Sequence, residues 1–224
     1  MSITKSVFGV TKDGRQVDAF LIENNNNMKI NLITYGATLQ SILVKDKDEN
    51  ELDLLLGFDD MDGFQNRHDY QGMIVGPVAN RISAGGLTID GVKVPVTTTH
   101  GDVTLHSNGE FSTAVWDAII VDSDAVEFSY FSADGTEGFP GNKKVTVKYT
   151  LTDKNEIIIP ANLLSSGAQV IVKLKNGSDE TIFDDCIIPE SCFINHDLSK
   201  HIHPMNEIPS KIIDNSNKPK APTD

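Results

Sequence analysis

The sequence predicts an all-β protein made of antiparallel sheets. Short runs rich in β-branched and aromatic residues alternate with turn-forming clusters of Gly, Asn and Asp along most of the chain. Residues 145–151 alternate apolar and polar side chains, which is typical of a strand with one buried face. No long segment repeats its apolar residues at helical spacing. These observations favour a β-sandwich or a barrel over alternating strand and helix units.

The predicted strands follow one another at short intervals. They cover residues 17–22, 28–34, 38–44, 52–56, 87–89, 92–96, 115–121, 125–131, 143–151, 156–159 and 169–174. Asp90-Gly91 separates two of these runs, and this dipeptide suits the type I′ turn of a two-residue hairpin. Residues 182–193 are apolar enough for a further strand. Residues 210–224 have almost nothing to bury, so we expect them to form a disordered tail.

The charge balance limits the partners that the protein can have. The chain carries 19 Lys and Arg against 32 Asp and Glu, a formal net charge of -13. Such a charge repels phosphate backbones and anionic lipids, so we expect neither nucleic acid nor membrane as a partner. No signal peptide or apolar spanning run is visible, which predicts a cytoplasmic protein. Cys186 and Cys192 are accordingly expected to be free thiols.

Two loops carry residues that suit the recognition of hydroxyl groups. Asn80 and Arg81 lie in a glycine-flanked segment, and a planar guanidinium beside an amide can bind several vicinal hydroxyls at once. His106 lies in a second loop, where it could donate a hydrogen bond or move a proton. Taken singly, each motif is more typical of an ordinary surface loop than of a binding site.

A third loop, residues 134–141, contains closely spaced glycines and a proline that predict consecutive turns. On the residues alone, we interpret it as a structural connector between strands. Its Glu137 is expected to be an exposed carboxylate.

Taken in chain order, these segments resemble the successive motifs of the aldose 1-epimerases. The matching segments are residues 34–39, 56–59, 76–82, 86–91, 105–106, 115–116, 134–141 and 145–156. The resemblance implies a β-sandwich of the galactose mutarotase type that interconverts the α and β anomers of aldohexoses such as galactose or glucose. It implies a monosaccharide partner, contacted by Asn80, Arg81 and His106, and neither a metal nor an organic cofactor.

The chain departs from the family pattern in the catalytic residues. Mutarotation needs a base at the anomeric hydroxyl and an acid at the ring oxygen. The family uses a histidine that would follow Asn176 and a glutamate near its C-terminus, and neither has a counterpart here. We interpret His201 and His203 as part of a solvated loop. No catalytic residue is therefore assigned, and we expect weak or lost epimerase activity. A non-catalytic sugar-binding or regulatory module is the alternative.

The same comparison predicts a sandwich domain over residues 1–209 that is incomplete at its C-terminus. A sandwich without its last strands leaves sheet edges and part of an inner face uncovered. We therefore expect lower stability, self-association through the uncovered edges, or pairing with another chain.

Overall fold

The computed structural model describes residues 1–67, 70–83, 86–89, 91–99, 101–162 and 168–173. In chain order, its strands and helix are β1 (Ser2–Val10), β2 (Gln16–Glu23), β3 (Lys29–Ile33), β4 (Thr38–Lys45), β5 (Glu51–Asp53), α1 (Met61–Asn66), β6 (Arg81–Ile82), β7 (Leu87–Ile89), β8 (Val92–Val94), β9 (Thr104–Leu105), β10 (Asp117–Asp122), β11 (Ala125–Ser132), β12 (Lys143–Leu151), β13 (Glu156–Asn162) and β14 (Ala168–Lys173).

These strands form two five-stranded antiparallel sheets and two small strand pairs. One sheet has the order β1-β2-β3-β4-β5 and the other β10-β11-β12-β13-β14, so within these two sheets each strand pairs with its neighbours in the chain. The pairs β6-β9 and β7-β8 lie in the connection between the sheets. Ile89 pairs with Val92, which leaves two residues in the hairpin turn, and Gly91 has the positive φ that such a turn requires. The all-β antiparallel prediction is confirmed.

Three elements were not predicted from the sequence. Most of β1 is exposed on both faces, so it lacks the apolar alternation that marks a half-buried strand. Helix α1 has six residues, too few for a helical period, although Asp60 caps it by accepting a hydrogen bond from the Gly63 amide at 2.8 Å. The pair β6-β9 is only two residues long in each strand. Residues 182–193, the domain boundary at 209 and the predicted tail lie outside the described residues.

The main core lies between the inner faces of the two sheets. It unites apolar side chains of the first sheet with those of the second. Phe128 contributes edge-on ring contacts to both sides, with ring centroids 6.1 Å from Phe20 and 5.7 Å from Tyr149. The Tyr149 hydroxyl is fully buried and donates to the carbonyl of Ala37 at 2.7 Å. Burial raises the pKa of Tyr149, so the phenol stays neutral.

Gly36 joins the first sheet to the segments that lead into the second. Its amide donates to Ala114 O at 2.7 Å, and its carbonyl accepts from the Ile74 amide at 2.9 Å. A Cβ at this position would lie 2.5 Å from Ser112 O, and φ is +66°. Only glycine fits a crossing this close. Among the described residues, no helix has the length and apolarity needed to cross a membrane.

We predict that Phe128→Ala lowers the free energy of unfolding by about 3–5 kcal/mol, because it leaves a cavity between the sheets. Phe131→Ala is the matched control on the same strand, since Phe131 is 60% exposed, and it should change stability by less than about 0.5 kcal/mol. Urea denaturation of both variants measures the difference. Equal losses would show that Phe128 is not a core residue.

Candidate functional site

The structure brings the three motif loops together. His106 and Ser107 of one loop form hydrogen bonds with Asn80 and Val78 of another. The His106 amide donates to Asn80 O at 2.9 Å, and the Asn80 amide donates back to His106 Nδ1 at 3.0 Å. Ser107 Oγ accepts from the Val78 amide at 2.8 Å and donates to Val78 O at 2.9 Å. Both links are reciprocal, so the two loops form one rigid unit.

The third loop is tied to this unit by Glu137. Its carboxylate accepts a hydrogen bond from Asn108 Nδ2 at 3.0 Å. The Glu137 carbonyl accepts from the Thr97 amide at 3.0 Å. Glu137 as a residue is partly buried, and its carboxylate lies in an exposed hydrogen bond.

Two glycines allow the backbone around these loops to pack closely against neighbouring residues. A Cβ on Gly76 would lie 2.3 Å from the Phe111 ring, and a Cβ on Gly138 would lie 2.4 Å from Pro95 O. Both glycines therefore mark places where only a residue without a side chain fits.

The His106 loop has an uncommon backbone conformation. The φ angles of His106, Ser107 and Asn108 are 51°, 51° and 58°, and that of Asn80 is 68°. Asn adopts this left-handed region with little penalty, but for His and Ser it costs about 1–2 kcal/mol per residue. The reciprocal hydrogen bonds offset this strain and hold the His106 ring in one orientation.

The hydrogen bond to Nδ1 defines what His106 can do. A ring nitrogen that accepts from a backbone amide carries no proton, so the neutral imidazole has its proton on Nε2. His106 therefore presents an N–H donor at its free end. The ring of Tyr70 lies 4.7 Å away between centroids and fixes one face of the imidazole. Burial raises the pKa of Tyr70, which keeps its phenol protonated.

Arg81 adds a second set of donors beside His106. The residue begins β6 and pairs with Leu105 of β9, directly before His106 in the chain. Its side chain is exposed, and no carboxylate among the described residues forms an ion pair with it. Its guanidinium N–H groups are thus available to a ligand.

The backbone thus brings Asn80, Arg81 and His106 together in one group of loops. Tyr70, Asn108 and Glu137 support it and were not predicted as functional residues. No group of three or more His, Cys, Asp or Glu side chains within the described ranges is arranged to hold a metal ion. The site is rich in hydrogen-bond donors and suits the hydroxyl groups of a small polyol.

The fold class is an antiparallel β-sandwich with a donor-rich group of loops between its two sheets. The aldose 1-epimerase family model matches residues 18–172. The chain therefore belongs to the aldose 1-epimerase family. The fold prediction of a sandwich of the galactose mutarotase type is confirmed by the same comparison and by the solved structures below.

Two relatives and two solved structures illustrate the match. A galactose mutarotase from Bos taurus is 36% identical over 161 residues, 71% of this chain and 46% of that protein. An aldose 1-epimerase from Escherichia coli (strain K12) is 34% identical over 148 residues, 66% and 43% of the two chains. A C. elegans aldose epimerase homologue superimposes with a TM-score of 0.60 at 28% identity, covering 78% of this chain and 52% of that one.

The crystal structure of galactose 1-epimerase from Lactobacillus acidophilus NCFM gives a TM-score of 0.63 at 24% identity, covering 72% of this chain and 48% of that one. This likeness concerns the fold. The chain spans about half the length of the curated relatives it matches.

Directly after the site loop lies a buried carboxyl group that sequence reasoning did not identify. Glu110 is 8% exposed. Neither of its oxygens reaches hydrogen-bond geometry with another group. Burial raises the pKa of Glu110, and Glu137 adds to this rise, whereas Ser132 and Lys143 lie close enough to oppose it. Folding therefore shifts the protonation equilibrium of the Glu110 carboxyl toward its protonated form.

We predict that Glu110 makes stability depend on pH. Below its unfolded pKa of 4.5 the carboxyl is protonated in both states and carries no penalty. Above the raised folded pKa, folding must bury a charge, so the free energy of unfolding falls as pH rises between these two values. The stability of Glu110→Gln relative to the wild type should rise with pH over this window. Urea melts at several pH values test this, with Glu127→Gln as the control; a relative stability that is constant with pH would contradict it.

Proposed function

We propose that this chain binds an aldohexose, galactose or glucose, through Asn80, Arg81 and His106. The observation that carries the proposal is the pair of hydrogen bonds between Asn80 and His106, which leaves Nε2–H as a donor in the loop that directly follows Leu105, the strand partner of Arg81. Sugar hydroxyls offer acceptor lone pairs in several directions, so a cluster of fixed donors complements them. A neutral sugar is also not repelled by a chain of net charge -13.

The proposed reaction is the interconversion of α and β anomers, with weak or lost activity in the 224-residue chain. Ring opening requires a proton to leave the anomeric hydroxyl while another reaches the ring oxygen. Arg81 cannot accept a proton, and His106 accepts at Nδ1 only from a backbone amide. The described site residues are thus suited to holding the sugar. A positioned acid or base contributes typically about 10²–10⁴ in rate.

We predict that Arg81→Ala and His106→Ala each weaken galactose binding by about 10–100-fold, since a hydrogen bond involving a charged or buried partner contributes about 1.5–3 kcal/mol. Titration calorimetry or ligand-observed NMR measures the dissociation constant. Lys154→Ala is the control, because Lys154 is exposed in the turn between β12 and β13. If both site variants bind galactose with unchanged affinity, the sugar does not bind at Arg81 and His106.

Polarimetry of freshly dissolved α-galactose separates binding from catalysis. We expect a rate close to that of the buffer, even at sugar concentrations that saturate the site. A large rate enhancement that His106→Ala abolishes would show that the chain is an active epimerase. Saturable binding without any enhancement would select the non-catalytic sugar-binding module.

We also infer that the protein self-associates through β10. Within the described residues, β10 is the outer strand of its sheet. Its Ile119, Ile120 and Val121 are 59%, 49% and 41% exposed. An exposed apolar edge strand is a template for pairing with another chain. Asp117 and Asp122 flank these residues and oppose the approach of a second acidic copy.

The cytoplasmic location stays a prediction from the sequence.

We predict that Ile120→Lys reduces self-association and that added salt strengthens association of the wild type, because salt screens the repulsion between acidic copies. Val92→Lys is the matched control: it makes the same change at a residue that is 65% exposed on β8. Sedimentation velocity at several protein and salt concentrations measures both effects. A monomer at every concentration would rule out the β10 interface.

A further inference from the structure

The three residues of the proposed sugar site supply mostly hydrogen-bond donors. The Arg81 guanidinium has N–H donors and no acceptor, and His106 presents Nε2–H because its Nδ1 already accepts from the Asn80 amide. The Asn80 side chain adds a neutral acceptor, its amide oxygen. Every sugar hydroxyl also donates through its O–H, and an O–H that leaves water without gaining an acceptor lowers the affinity. A site for a ligand with several hydroxyl groups therefore needs a further acceptor.

A carboxylate of the third motif loop lies beside the His106 loop. Glu137 Oε2 accepts from Asn108 Nδ2 at 3.0 Å, and Asn108 belongs to the same short turn, His106–Gly109. This hydrogen bond is exposed, so the carboxylate can be reached from solvent. No Lys or Arg within the described residues forms an ion pair with Glu137. Both oxygens of a carboxylate accept from several directions, so Glu137 retains acceptor positions that Asn108 does not use.

The backbone at Glu137 is held in a conformation that glutamate rarely adopts. Its φ is 49° and its ψ is 23°, in the left-handed region where glycine is the usual residue. Gly135 and Gly138 of the same turn have φ angles of 81° and 83°. The Glu137 carbonyl accepts from the Thr97 amide at 3.0 Å, which holds this conformation in place. Strained residues of this kind cluster at ligand sites, and a glutamate where the backbone suits glycine indicates that its side chain has a role of its own.

Other charged groups near this loop are engaged elsewhere or buried. Asp134 Oδ1 accepts from the Gly141 amide, and Lys143 Nζ donates to Gly141 O at 2.8 Å. Burial raises the pKa of Glu110 and Glu137 adds to this rise, so the two carboxyl groups lie near each other. Glu110 is only 8% exposed, however, so a ligand that arrives from solvent does not reach it. Glu137 is thus the accessible carboxylate that contacts the His106 loop.

We propose that Glu137 is a further sugar-binding residue, which accepts a hydrogen bond from one hydroxyl group of the ligand. The inference rests on the proposed function, because it adds an acceptor to the donors of Arg81 and His106. Asn108 orients the carboxylate from within the His106 loop. A site that hydrogen-bonds a particular hydroxyl rejects an analogue without it, because the polar group of the site is then left unpaired. Glu137 thus makes the site select for a hydroxyl at one position of the sugar ring.

Two substitutions measure what Glu137 contributes to galactose binding. Glu137→Gln keeps an oxygen that can accept from Asn108 but loses the charge, so the dissociation constant should rise about 3–10-fold. Glu137→Ala removes the acceptor and should raise the dissociation constant about 10–100-fold. Titration calorimetry measures both effects. Glu127→Gln is the matched control and should bind like the wild type, because Glu127 on β11 is also partly buried and has no ion pair with another described residue.

Monodeoxygalactoses separate a direct contact from a purely structural role of Glu137. The analogue that lacks the contacted hydroxyl should bind to the wild type at least about tenfold more weakly than galactose does. This discrimination should shrink at least about threefold in Glu137→Gln and disappear in Glu137→Ala. If Glu137 only shaped the loop, galactose and every deoxy analogue would lose affinity by the same factor, and that result would overturn the inference.

The same titrations distinguish the failure of this inference from the failure of the proposed function. Binding that requires Arg81 and His106 but is unchanged in both Glu137 variants would overturn the inference and leave the proposed function intact. A wild-type chain that does not bind galactose would overturn both.

Discussion

The arrangement of the molecule depends on the close crossing at Gly36. Three segments meet there: the turn between β3 and β4, the strand-like segment before β10, and the segment that leads to the site loop. The Gly36 amide and carbonyl bond to the second and third of these, and a Cβ would collide with Ser112 O. Because the backbone atoms themselves make the contact, the position of the site loop follows from the packing of the sheets.

A series of contacts connects the crossing at Gly36 to the His106 loop. The Ile74 amide is held by its hydrogen bond to Gly36 O. Gly76 packs against the buried Phe111 ring. The Trp116 indole N–H in turn donates to Phe111 O at 2.9 Å. Val78 and Asn80 follow directly and bind the His106 loop. The donor atoms of the site are thus held by a chain of backbone contacts that begins in the core.

The sequence predicts the strands well where one face is buried. Residues 143–151 are predicted with the bounds that the structure gives, because apolar and polar side chains alternate from Val145 to Leu151. Strand β1 could not be predicted, since a mostly exposed strand has no such alternation. Its pairing with β2 depends on backbone hydrogen bonds that any sequence can make.

The site residues were predictable only as a set. Asn80, Arg81 and His106 are ordinary loop residues when taken singly, and only the order of the motifs along the chain predicts them as site residues. The support from Tyr70 and Glu137 could not be predicted, because it depends on left-handed backbone at His106 and Asn108 and on contacts between distant loops. Hydrophobic periodicity carries no information on either.

Strain in the His106 loop bears on how the site works. The left-handed conformations of His106 and Ser107 together cost about 2–4 kcal/mol, a substantial share of the 5–15 kcal/mol that stabilises a typical domain. Such a conformation persists only where the surroundings over-determine it, and here two reciprocal pairs of hydrogen bonds do so. The folding of the sandwich therefore orients the His106 donor before any ligand binds. A ligand that meets oriented donors loses little affinity to reorganisation.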